Sequence, residues 1–132
     1  MMQHDYEYEV SVYCCTYNHE KYIRDALEGF FMQKTDFDWK LVIHDDASTD
    51  GTQDIIREYI DKYPERIVSI LQTENQYSQG IDINKIMSKY LKGKYIATCE
   101  GDDYWTDPYK LQKQYDFLQQ NSDFSGCYHN IV

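Results

Sequence analysis

Residues 95–105, YIATCEGDDYW, constrain this chain more than any other stretch. Residues 95–99 are a mostly apolar run with the length of a buried strand, and they lead directly into three carboxylates, Glu100, Asp102 and Asp103, with Gly101 among them. Carboxylates crowded at a strand end repel one another and lose hydration, so they persist most easily where a cation neutralises them. The stretch reads as a divalent-metal site at the mouth of a sheet. Helix capping explains it less well, because a cap needs one acid and Asp107-Pro108 already supplies it.

The rest of the chain alternates around that strand. Residues 10–16 form a strand candidate ended by Tyr17-Asn18. From Glu20 the apolar residues fall at helical spacing, Ile23, Ala26, Leu27, Phe30 and Phe31, until a polar break over 33–38. A second strand over 39–44 ends in DDASTDG, where Ser48, Thr49 and Asp50 are N-cap candidates for a helix that Pro64 stops. A third strand over 66–71, a polar loop over 72–80 and a short helix over 83–91 closed by Gly93 lead to the metal-site strand. A helix led by Asp107-Pro108 and striped by Leu111, Tyr115 and Leu118 follows, then a fifth strand over 124–132.

Such alternation specifies an α/β fold, a mostly parallel sheet with helices on both faces. Open parallel sheets bind ligands beyond the carboxyl ends of their strands. Tyr17-Asn18, Asp45-Asp46 and Asp102-Asp103 all fall at such ends, so three clusters distant in sequence should meet at one edge, in a nucleotide-type crevice.

Composition narrows the partners. The 132 residues suffice for a single domain, and 13 Lys plus Arg against 23 Asp plus Glu give a net charge of −10. That field disfavours a nucleic-acid or anionic-membrane surface, and a phosphate-bearing ligand would need a metal as intermediary. No basic and apolar leader and no run of membrane-spanning length is present, so no transmembrane segment is expected. Cys14, Cys15, Cys99 and Cys127 all fall in strand segments without zinc spacing, and read as buried thiols in a reducing cytoplasm.

Three segments together resemble family 2 glycosyltransferases of the GT-A fold: VSVYCCTYN over 10–18, HDDASTDGT over 44–52, and EGDDYWTDP over 100–108. The resemblance spans about residues 9–131 and implies a Rossmann-like nucleotide-diphospho-sugar transferase sheet. It implies that Tyr17 packs on the nucleotide base and Asp46 hydrogen-bonds it, usually as uracil, with Asp45 beside it as a further nucleotide-site candidate. In the DxD-like segment it places Asp102 near the ribose and the metal-bound diphosphate, and Asp103 as the ligand of Mg²⁺ or Mn²⁺. Glu100 stands at the leading acidic position, one carbon longer than the usual aspartate.

The implied activity is metal-dependent transfer of a sugar from a nucleotide diphosphate, a UDP-sugar, to a hydroxyl of a glycan or lipid-linked acceptor in cell-envelope polysaccharide synthesis. Its expected place is the cytoplasm, at most peripheral to the inner membrane. The family's catalytic base falls beyond this sequence, so no residue takes that role, and the single domain over 1–132 is expected to lack the acceptor-binding half. A nucleotide-sugar-binding module without turnover is the alternative, and an exposed sheet edge makes a homo-oligomer conceivable. The arginine that commonly precedes the loop asparagine is missing from GIDIN over 80–84.

Blander readings stand beside these. Asp45 and Asp46 could cap the following helix. Tyr17 is one of 14 tyrosines, so ordinary packing would also account for it. His19 and His44 lack metal-ligand spacing and read as packed or solvent-facing. Tyr104-Trp105 is a sugar platform or core. A phosphoacceptor receiver domain, also doubly wound, fails because the third strand ends in Gln72-Thr73 without an aspartate and no lysine follows Lys113.

Overall fold

In a computed structural model of the protein, residues 6–120 and the backbone of 128–129 are described. The elements are β1 (Tyr8–Thr16), α1 (Ile23–Phe31), β2 (Trp39–Asp45), α2 (Thr52–Lys62), β3 (Ile67–Leu71), a 3₁₀ turn (Tyr77–Gln79), α3 (Ile83–Ser88), β4 (Gly93–Thr98), α4 (Lys110–Gln120) and β5 (Tyr128–His129). The strands form one sheet in the order β3-β2-β1-β4-β5, and every neighbouring pair is parallel. Of the fifth strand expected over 124–132, only Tyr128–His129 lies among the described residues; Cys127 lies outside them.

The two central strands are buried on both faces, which is why β1 and β2 lack a clean polar alternation. Val10, Val12 and Cys14 of β1 and Trp39, Leu41 and Ile43 of β2 face one side. There they meet the α1 stripe Ile23, Ala26, Leu27 and Phe30, together with Ile56 and Tyr59 of α2 and Leu111 of α4. Burying a side chain such as Phe30 contributes on the order of 1.5–3 kcal/mol. Helix α3 serves the opposite face: its Met87 is fully buried, and its Asn84 accepts a hydrogen bond from the Tyr13 hydroxyl. Helices thus cover both faces, as the alternation required.

The segment after β4 is anchored to α1. Trp105 is buried edge-on against Phe30 with ring centroids 5.1 Å apart. The Gln33 amide donates to the Asp107 carbonyl at 2.8 Å and accepts from Leu111 N at 3.0 Å, tying the start of α4 in place. Trp105 is therefore core, whereas Tyr104 beside it is exposed.

Two local expectations change. Gly93 does not close α3; it opens β4, and the C-cap of α3 is Lys89. A Cβ at position 93 would stand 2.4 Å from Ser11 N, so the close approach of β4 to β1 demands glycine. The N-cap of α2 is Gly51, without a side-chain cap bond, while Asp50 Oδ1 accepts from Thr52 N at 3.0 Å. Ser48, Thr49 and Asp50 each also bond the loop after β1. Among the described residues, no helix is long and apolar enough to cross a membrane.

Candidate functional site

Strand register assembles the site. Thr16 pairs with Asp45 across β1 and β2, and Tyr13 with Thr98 across β1 and β4. Beyond β4 the chain still follows β1, with Cys99 N donating to Tyr13 O at 3.0 Å and Gly101 N to Cys15 O at 3.1 Å. Gly101 is thereby pressed against Thr16 and His19: a Cβ there would lie 2.4 Å from Thr16 Oγ1 and 2.9 Å from His19 Nδ1. The glycine among the acids lets Asp102 arrive beside the β1 loop.

The loops after β1 and β2 are sewn together reciprocally. Asn18 N donates to Ser48 Oγ at 2.8 Å and Thr49 N to Asn18 Oδ1 at 2.8 Å. His19 N donates to Thr52 Oγ1 at 3.0 Å, Glu20 N to Asp50 Oδ2 at 3.2 Å, and Gly51 N to Glu20 Oε1 at 2.7 Å. The polar residues of YNHE and DDASTDGT thus satisfy each other's backbone groups in a region where no secondary structure can. Asn18 and Ala47 sit at φ +53° and +63°, a left-handed conformation that costs a residue with a Cβ roughly 1–2 kcal/mol.

The adjacent aspartates of β2 take opposite jobs. Asp45 is fully buried and accepts from Ser48 N at 2.9 Å, from Ser48 Oγ and from Gln53 Nε2 at 2.7 Å, so its carboxylate organises the turn and is absent from the crevice wall. Asp46 turns the other way, into the crevice. Its Oδ1 accepts from Gln76 N at 2.6 Å and its Oδ2 from Tyr77 N at 3.1 Å, while its carbonyl accepts from Asn75 Nδ2 at 3.0 Å. Each carboxylate oxygen keeps a second acceptor position.

The crevice at the carboxyl edge comprises a cavity of about 360 Å³ bordered by Tyr17, His19, Asp46, Glu100 and Asp102, and one of about 430 Å³ bordered by Tyr17, Asp46, Asn75 and Tyr77. Tyr17 and Asp46 belong to both. Tyr17 is 44% exposed and Tyr77 78% exposed, so both rings offer apolar faces to a ligand. His44 also borders the crevice; burial pushes its pKa below the ordinary 6.5. Gln72 Nε2 lies 3.3 Å from its Nε2, an arrangement that suits a neutral ring.

The acidic segment presents its side chains outward. Asp102 is half-exposed, with His19 Nε2 3.9 Å from its Oδ2. Asp103 is exposed just outside the cavity wall, and its Oδ1 accepts from Tyr104 N at 2.8 Å. Among the described residues no three His, Cys, Asp or Glu side chains converge on one point. The chemistry of the donor set nevertheless fits a hard divalent cation, which needs only one or two protein carboxylates when water and ligand phosphates complete its shell.

Sequence reasoning missed the hold of the 75–80 loop on Asp46 and the pairing of His19 with Thr16. No local pattern marks either, since both join segments distant in sequence. A larger cavity of about 820 Å³ opens at the opposite edge between residues such as Lys34, Trp39 and Arg66, far from the acidic segment.

The profile of glycosyl transferase family 2 matches residues 11–130. The Rv1520 protein of Mycobacterium tuberculosis is 44% identical over 92% of this chain, which spans 35% of that relative. The putative teichuronic acid biosynthesis glycosyltransferase TuaG of Bacillus subtilis is 36% identical over 86% of this chain and 43% of its own length. Staphylococcus aureus TarS 1-349, solved in complex with UDP-GlcNAc, superposes with a TM-score of 0.72 at 27% identity, over 86% of this chain and 32% of that one. The chain thus spans well under half the length of the curated relatives it matches. Together these likenesses establish that the chain belongs to glycosyl transferase family 2 and has the GT-A fold.

Proposed function

We propose that the chain supplies the nucleotide-sugar site of a glycosyltransferase that passes a sugar from a UDP-linked donor to a hydroxyl of a cell-envelope polysaccharide or its lipid-linked precursor. The observation that carries this reading is the meeting of Tyr17, Asp46 and Asp102, from the ends of three strands, around one crevice. Family membership supports the reaction class, TarS with its UDP-GlcNAc supports the donor, and TuaG supports the acceptor class.

In this reading Tyr17 packs on the base, and Asp46 accepts from the base N–H with the acceptor positions that the loop leaves free. Asp45 holds the turn that aims Asp46. Asp102 and Asp103 would hold Mg²⁺ or Mn²⁺, which would supply Lewis-acid stabilisation of the charge on a departing diphosphate. Asp102 also lies on the crevice side, next to the ribose and diphosphate. Glu100 shares the wall with Asp102. The free thiols of Cys14, Cys15 and Cys99 accord with a reducing cytoplasm, where the protein would meet its donor.

Calorimetric titration of UDP and of GDP, each with and without Mn²⁺, tests the donor site. UDP binding that needs the metal and disappears in Asp103→Ala is expected. Absence of binding by either nucleotide under all metal conditions would sink the proposal. Transfer of sugar from a bound donor to an acceptor would then separate an enzyme from a module that binds without turnover.

A further inference from the structure

We infer that His19 is a donor-site residue whose Nε2–H bonds the diphosphate of the nucleotide, an inference that rests on the nucleotide reading above. Among the described residues no lysine or arginine borders the cavity that holds the acidic segment, whereas Asp46, Glu100 and Asp102 all do. A diphosphate entering that cavity meets carboxylates on several sides. A metal ion offsets part of the repulsion, but the remaining phosphoryl oxygens still require N–H or O–H donors.

Few side chains on the wall can donate. The buried Thr16 hydroxyl is engaged with His19, 2.8 Å from its Nδ1. His44 is buried and faces Gln72, the Cys15 thiol is only a weak donor, and Tyr17, which borders both cavities, is the ring on which the base packs in the reading above. His19 is left, partly exposed and held firmly. Its backbone N–H donates to Thr52 Oγ1, and its backbone carbonyl accepts from Tyr22 N and Ile23 N, both at 2.8 Å.

The ring's orientation decides which nitrogen donates. With Nδ1 accepting from the Thr16 hydroxyl, the hydrogen resides on Nε2. The opposite tautomer would aim the Nε2 lone pair at the Asp102 carboxylate 3.9 Å away, lone pair against anion. That separation is too long for a direct hydrogen bond. Nε2–H thus makes no hydrogen bond among the described residues, and it lies beside Asp102 on the cavity wall, where it could donate to a phosphoryl oxygen. The neutral ring suffices, so the role needs no change of protonation.

The test compares UDP with uridine, in the presence of Mn²⁺, on the 132-residue chain and on His19→Ala and His19→Gln. His19→Ala should weaken UDP about tenfold, the usual scale for a hydrogen bond to a charged group, and leave uridine within about twofold. His19→Gln, which keeps an N–H near the same point, should recover most of the UDP affinity. An unchanged UDP affinity in His19→Ala would overturn the inference. So would a parallel loss of UDP and uridine, which is what a residue that merely holds the β1 loop would produce. No UDP binding by the unsubstituted chain would defeat the nucleotide reading first, and this inference with it.

Discussion

Asp45 and Asp46 are adjacent carboxylates whose substitution should have different effects. Asp45→Ala would take the acceptor from three part-buried donor groups, and loss of about 1–3 kcal/mol of stability is expected in chemical denaturation. Asp46→Ala would instead free the 75–80 loop and remove the proposed base contact, so nucleotide affinity should fall at least about tenfold in calorimetry with a smaller change in stability. His44 adds a pH dependence. Burial lowers its folded pKa below 6.5, so the unfolded chain binds the proton more readily. Its contribution is intact above about pH 6.5 and declines as pH falls from there toward the folded value. Denaturant midpoints measured between pH 7 and pH 5 should show this slope, and His44→Gln should flatten it.

At the level of elements, the crevice depends on loops held by one another. The Asn18–Ser48 and Thr49–Asn18 bonds join the β1 and β2 ends from both directions. Ser48→Ala removes the acceptor of Asn18 N and Asn18→Ala that of Thr49 N, so each should lower stability by about 1 kcal/mol in chemical denaturation, and unchanged stability in both would show that the loops stand independently. Contact between β1 and β4 is equally demanding. Gly93→Ala would push a methyl group into Ser11 N, and a destabilisation of about 1–3 kcal/mol is expected from its melting curve.

For the whole molecule, parallel topology puts every strand's carboxyl end on one edge, and with it every cluster that the proposed chemistry uses. The field of a −10 chain then sets the terms of binding. An anionic nucleotide is repelled until a cation intervenes, so removing divalent metal should weaken UDP binding more at low ionic strength than at high. Titrations in chelator at about 0.02 M and about 0.2 M salt would check this, and equal affinities would show that the field plays no part.

Periodicity in the sequence was enough to establish the order of strands and helices, the α1 stripe and the parallel architecture, because a period of two or 3.6 is a local property. The positions of Tyr17, Asp46 and Asp102 at strand ends were equally legible, since strand limits are marked by the switch from apolar to polar residues. Three-dimensional packing decided the rest. That Asp45 turns inward while Asp46 faces the crevice depends on Ser48 and Gln53 reaching back to it. That Gly93 opens a strand depends on how closely β1 passes, and Tyr77 and His19 are held at the site by bonds to Asp46 and to Thr16 and Thr52. Each of these rests on contacts between segments distant along the chain, and no local pattern of residue types encodes such a contact.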